Sequence, residues 1–223
     1  MDGPTIQARV YAGYAKAALR IGLPYDQYRP VNVAAPLGNK VATILAAFDS
    51  TPNYEFKKPN LYGDPTWYAL INDATVATGD YLLGNDGVFF IAGKQFLLPV
   101  QAVECNRSVV LIRAASGATP TGTQGYGGNC VAEGSAVLGT LNLDGTVATG
   151  WPCSILFGGR QGRPTELPMA VGNAGWQILL PASMPLVINA SDVFIDDLGR
   201  RYVVDGAEHS DLGWRINSKE AHA

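Results

Sequence analysis

Asp192-Val-Phe-Ile-Asp-Asp-Leu-Gly-Arg-Arg-Tyr-Val-Val204 reads as strand, tight turn, strand. The arms Val193 to Ile195 and Tyr202 to Val204 are β-branched or aromatic, the side chains that suit a pleated, half-buried surface. Between them Asp196-Asp197-Leu198-Gly199 supplies residues that tolerate positive φ. The phrase has an earlier counterpart, Asp80-Tyr-Leu-Leu-Gly-Asn-Asp-Gly-Val-Phe-Phe-Ile91. In both, an Asp is followed seven positions later by Gly, and three later by an aromatic residue. One β unit used twice is the expectation that organises the chain.

Two more anchors keep the same order. Thr43-Ile44-Leu45 matches Ser154-Ile155-Leu156, and Trp67-Tyr-Ala-Leu70 matches Trp176-Gln-Ile-Leu179. One hairpin resembles another by chance; three anchors in order with only small drift point to an internal repeat. A Trp at the same place in each unit reads as a core plug, since an indole fills much of a small barrel.

Composition agrees with a turn-rich β protein. Of 223 residues, 26 are Gly and 14 are Pro. Charged residues are 16%, against the usual quarter. That scarcity fits a chain that buries surface against neighbours, and equally a β protein with uncharged polar loops. The net charge of −3 comes without a Lys/Arg cluster, so a nucleic acid backbone is not an expected partner. No apolar run approaches membrane-spanning length, and the first twenty residues lack the basic start and apolar run of a signal peptide. Cys105, Cys130 and Cys153 form no C-x-x-C pair, and there are two histidines; three thiols in a reducing cytosol are expected, with no metal and no cofactor. A Cys130–Cys153 bridge has no support in the sequence.

Residues 4–21 carry the one convincing helix. Ile6, Val10, Gly13, Tyr14, Ala17 and Ile21 fall on one stripe, with Gln7, Lys16 and Arg20 opposite. Asp2 or Thr5 caps its start, Pro4 suits the first turn, and Gly22 with Pro24 ends it. Its apolar stripe serves its own β core or a neighbouring subunit. Tyr25 to Pro36 reads as an extended connector containing Tyr28-Arg29-Pro30. Residues 51–65 form a long loop of the kind that is functional or ordered by a partner. The hairpin Val100–Cys105 and Ser108–Arg113, turning at Asn106-Arg107, closes the first unit. Ala114 to Asn129 is the best linker, rich in Gly, Thr, Ser and Pro. The expected architecture is mainly β: two related small β-barrel or β-sandwich units preceded by one N-terminal α-helix. Its parts are 1–36 helix and connector, 37–113 first unit, 114–137 linker, and 138–223 second unit with tail.

No catalytic constellation holds. His209-Ser210-Asp211 has the residue types of a hydrolytic triad, but adjacent side chains diverge and cannot form the nucleophile–base–orienter chain. His222 lies in the tail. Asp192, Asp196, Asp197 and Asp205 do not match a calcium loop and read as turn carboxylates. Gly125-Tyr-Gly-Gly-Asn-Cys130 lacks the third glycine of a dinucleotide fingerprint.

Taken together, the leading helix, the Tyr-Arg-Pro connector, Gly79-Asp80-Tyr81-Leu82 with Phe89-Phe90-Ile91, Ser191-Asp192-Val193-Phe194 with Arg200-Arg201-Tyr202-Val203-Val204, and the closing Leu212-Gly-Trp-Arg-Ile216 carry a resemblance. The pattern resembles the β-barrel core of small structural proteins of tailed bacteriophages: head-completion, head–tail joining and tail adaptor proteins. It covers most of 40–113 and 151–216, but neither the helix nor the linker. The resemblance implies a non-enzymatic virion component of the neck or tail, assembled in the host cytoplasm. It implies a homo-oligomeric ring that touches other virion proteins, with neither nucleic acid nor membrane as partner. Candidate partner contacts are the helix face around Tyr11 and Arg20, the loop with Lys57 and Lys58, and the Gly-flanked Arg160 and Arg163. The alternative is a receptor- or carbohydrate-binding module of a tail fibre or cell-surface protein, with Trp67, Trp151 and Trp176 as an aromatic platform. A weaker third reading is a hydrolase with dispersed carboxylates.

Overall fold

The computed structural model describes residues 2–61, 63–71, 75–114, 134–160 and 174–221. One helix, α1 (Gly3–Ile21), precedes a succession of strands. Asp2 caps it, its carboxylate accepting from Thr5 N at 3.2 Å, and Pro4 occupies the first turn. Gly22 ends it in extended conformation, where a Cβ would strike the Ala18 carbonyl. The packing face differs from the predicted stripe. Val10, Tyr11, Tyr14 and Ala18 turn toward the β core, whereas Ile6 and Ile21 are exposed. Tyr14 meets Tyr54 edge-on, 5.4 Å between ring centres. The two tyrosines bury more area than the aliphatic stripe would, and so set the helix rotation.

The first β unit is a closed six-stranded antiparallel barrel. Its strands are β1 (Leu23–Tyr28), β2 (Lys40–Asp49), β3 (Thr66–Leu70), β4 (Tyr81–Gly84), β5 (Gly87–Gly93) and β6 (Val100–Cys105). Around the barrel they run β1-β2-β3-β6-β5-β4. The second unit contains β7 (Arg107–Ala114), β11 (Trp151–Arg160), β12 (Ala174–Leu180), β13 (Val193–Asp196), β14 (Arg201–Ser210) and β15 (Gly213–Ala221). It is ordered β11-β12-β15-β14-β13-β7, and β11 also pairs with β7, which closes the ring. Between β7 and β11 lie β8 (Gly134–Leu138), which pairs with the second half of β7, and a small hairpin of β9 (Thr140–Leu141) and β10 (Val147–Thr149).

Strand for strand the two rings are the same. β1 corresponds to β7, β2 to β11, β3 to β12, β4 to β13, β5 to β14 and β6 to β15. The registers agree residue by residue: Gln27 faces Leu82 as Leu111 faces Phe194, and Ile91 faces Ala102 as Val204 faces Ser218. Even the bulge recurs, between Ile91 and Gly93 in one barrel and between Val204 and Gly206 in the other. The Trp anchor and the Asp residues are therefore in register, but the second arm of the hairpin is off by one: Tyr202 matches Phe89, not Phe90. The Thr43-Ile44-Leu45 anchor is out of register. Phe48, facing Ala69, is the counterpart of Ile155, facing Ile178, so Ile44 corresponds to Trp151. The slip is four residues and, being even, leaves the same side chains facing inward.

The expected unit boundaries shift at both ends. Strand Leu23–Tyr28, expected as connector, is a barrel stave, and Arg107–Ala114, expected to close the first unit, opens the second. Asn106-Arg107 is no hairpin turn. Asn106 donates Nδ2 to Ile155 O at 2.9 Å and accepts from Ile155 N at 2.8 Å, which locks the crossing between barrels.

Alternation along β4 and β5 sends Leu82, Phe89 and Ile91 into the first barrel core, which Tyr11 of the helix completes. The opposite face, Tyr81, Phe90 and Ala92, joins the second barrel's core beside Trp151, Ile178 and Phe194. These two strands are apolar on both faces, which explains the unbroken Phe89-Phe90-Ile91 run. Tyr81 also donates to Pro152 O at 2.8 Å, satisfying a hydroxyl that is fully enclosed.

Candidate functional site

The residue pair at the heart of each repeat is an Arg–Asp clamp. Arg29 donates Nε and Nη2 to the two oxygens of Asp80, both at 2.7 Å. Arg113 does the same to Asp192, at 2.8 and 2.6 Å. Each carboxylate also accepts a backbone N–H from three residues earlier, Ala77 or Asn189, at 2.8 Å. Each guanidinium reaches a carbonyl five residues before the Asp, Thr75 or Val187. Both carboxylates are buried, and the bonds to them raise the pKa of both guanidinium groups above its ordinary value. The residue before each Asp is left-handed: Gly79 at φ 89° and Ser191 at φ 73°. These clamps hold strands β1 to β4 and β7 to β13; every acceptor is spent on the fold, so they are architecture and not a ligand site.

The predicted contact residues are scattered. Tyr11 is not available to a partner: its ring is buried and its hydroxyl points at Gln95 O, 3.4 Å away. Arg20 is exposed at the end of α1. Lys57 and Lys58 are exposed on the 51–65 loop, Lys57 lying 3.6 Å from Glu55. The loop is anchored from within the chain. The buried Asp49 accepts from Thr51 N and Phe56 N, at 3.2 and 2.8 Å, and holds Tyr54 and Phe56 at positive φ. Arg160 ends strand β11, and Arg163 lies outside the described residues.

The tryptophans do not share a surface. Trp67 lies in the first barrel, where it meets Phe89 edge-on; Trp176 lies at the matching place in the second and meets Tyr202 the same way. Trp151 is fully enclosed between the barrels, with Nε1 donating to Val33 O at 2.8 Å. Trp67 and Trp176 are each half-buried against the core of their barrel and so do not fully plug it, and the three indoles do not form one platform.

His209 lies against the Trp214 ring, and Ser210 donates to Gly213 O within the β14–β15 turn. No chain of hydrogen bonds links His209, Ser210 and Asp211 among the described residues. Cys105 and Cys153 are free thiols, and burial pushes both pKa values up, so neither is poised as a nucleophile. Cys130, His222 and the Gly125–Cys130 stretch lie outside the described residues. Among the described residues no group of three His, Cys, Asp or Glu side chains is placed to hold a metal ion, and no helix is long and apolar enough to cross a membrane.

One concave region combines apolar and charged groups. At one mouth of the first barrel a cleft of about 410 Å³ opens. Phe48 and Phe89 stack at its base, 4.0 Å between ring centres and 12° between planes. Tyr25 and Trp67 stand edge-on to Phe89. Two carboxylates complete the lining. Asp86 accepts from Tyr25 Oη at 2.5 Å, and Glu104 accepts from Trp67 Nε1 at 2.8 Å. Burial first, then the hydrogen bond to Asp86 and the Asp86 and Glu104 charges, drives the Tyr25 pKa above its ordinary value. Gly84 is required here: a side chain on it would collide with the Tyr25 ring.

Compared with protein-family models, with curated proteins and with solved structures, the chain matches none.

Proposed function

We propose that the protein is a non-enzymatic structural component of a tailed phage virion, in the neck or tail, that works by ring-like self-assembly and contact with neighbouring virion proteins. The reading rests on the sequence pattern of the two Asp hairpins. The observation that supports it best is an apolar edge where α1 runs into β1: Leu19, Ile21 and Leu23 are all more than half exposed. Side chains of this kind so close in sequence are costly to leave in water and are characteristic of surfaces that other chains cover. A scaffold role also agrees with carboxylates and guanidinium groups that are spent on holding strands together.

Native mass spectrometry of the purified chain tests the proposal. A closed oligomer is expected, converted to smaller species by Leu19→Lys with Leu23→Lys, and weakened by Arg160→Glu with Arg163→Glu, while circular dichroism stays unchanged. A monomer across the whole concentration range, alone and mixed with other structural proteins of the same particle, would overturn it.

A further inference from the structure

We infer that the mouth of the first barrel is a binding site for an organic cation, an alkylammonium or alkylguanidinium group. The inference does not rest on the assembly reading, but the cleft adjoins the apolar edge named there, since Ile21 and Leu23 also line it.

The site is built from three features that belong together chemically. Its accessible aromatic lining is Phe48, Trp67 and the half-exposed Phe56, with Tyr25 and Phe89 buried behind them; ring faces attract a cation through their quadrupoles, and the apolar surface sheds water from its alkyl part. Its charge is negative: Asp86 and Glu104 both line the cleft. Among the described residues neither has a basic partner, and the ion pairs there all involve other carboxylates.

The two acids are also held in place. Tyr25 Oη fixes Oδ2 of Asp86, and Trp67 Nε1 fixes Oε2 of Glu104, which leaves one oxygen of each for a ligand N–H. Fixed carboxylates lose less on binding than free ones. A bare metal ion would not use the aromatic rings, and an anion would meet two like charges. An amine or guanidinium on a carbon chain uses both halves of the lining.

The second barrel supplies an internal contrast. The counterpart of Phe48 is Ile155, that of Phe89 is Tyr202, and that of Tyr25 is Val109. Two rings are lost, and Tyr202 Oη donates to Asp196 instead, at 3.1 Å. The repeated fold therefore does not require the aromatic mouth, and the first barrel alone carries it.

The test uses the full chain and the four indole N–H resonances, with the Trp67 signal assigned by Trp67→Phe. Ethylguanidinium and tetramethylammonium are titrated as chlorides, against sodium chloride and neutral ethylurea at equal concentration. A saturable shift of the Trp67 resonance by at least one organic cation, larger than that of the other three indoles, is expected. Asp86→Asn with Glu104→Gln, which keeps acceptors for Tyr25 and Trp67, is expected to weaken binding by about tenfold or more. Asp86→Asn alone, in an exposed turn, gives an intermediate loss and guards against misfolding of the double variant. The inference is overturned if ethylurea or sodium chloride moves Trp67 as far as the cations do, if no saturation occurs, or if a folded Asp86→Asn chain binds unchanged.

Discussion

Arg113 grips Asp192 through two parallel hydrogen bonds, and Arg29 grips Asp80 in the same way fifty-one residues apart in sequence. In both cases the carboxylate is nearly inaccessible while the guanidinium stays partly in water. Removing the Asp then removes the acceptor for several donors at once, whereas removing the Arg leaves a buried charge. Arg29→Met and Arg113→Met should each cost about 1–2 kcal/mol, reduced from the fully buried case by the solvent around the guanidinium. Asp80→Ala and Asp192→Ala should cost about 3 kcal/mol. Urea denaturation checks both, and a loss confined to one of the two clamps would contradict their equivalence.

Gly79 and Ser191 hold the same left-handed place before the Asp, but one of them is not glycine. Ser191→Gly should raise stability by about 0.5–1 kcal/mol, the left-handed cost outweighing the added freedom of the unfolded chain. Gly79→Ala should lower it, because a Cβ there meets Ser183 as well as unfavourable φ. Thermal unfolding of the two variants should move in opposite directions.

Tyr202 contributes to an alkaline limit that it shares with Tyr25, Tyr54 and Tyr81, all raised by burial. Burial, and then the nearby Asp196 charge, push the Tyr202 pKa up to about 12, from 10.0. The native state therefore holds this proton more tightly than the unfolded state does. Its contribution to stability is complete below about pH 10 and is lost as pH rises toward 12. Denaturation midpoints should fall across that interval, and Tyr202→Phe should make the fall shallower.

Much of this architecture was legible because period-two alternation and turn residues are local signals. The paired Trp67 and Trp176 and the first arms of the Asp hairpins stand in register as read, while the second arms are off by one residue, Tyr202 matching Phe89 and not Phe90. The Arg partners were not, because each clamp joins residues far apart in sequence and no spacing rule connects them. A signal was present: Tyr25-Asp-Gln-Tyr-Arg29 and Val109-Val-Leu-Ile-Arg113 are both short strands ending in Arg. The first was hidden inside a Pro-punctuated connector, and the second was assigned to the wrong barrel. The helix rotation was missed because α1 offers apolar residues on several faces, and only the barrel it meets selects among them. The acidic mouth was invisible for a similar reason. Asp86 reads as a turn residue and Glu104 as a strand end, and the β5–β6 pairing, which sets Glu104 opposite Phe89, is what brings them to one cleft.

The passage from β6 to β7 has a mechanical side. A single residue, Asn106, separates the two strands, and its amide is bonded on both sides to Ile155. There is no slack at this point for one barrel to swivel against the other. A push or twist on one barrel is passed to the other through this link and through the Tyr81, Phe90 and Ala92 face that the first barrel contributes to the core of the second.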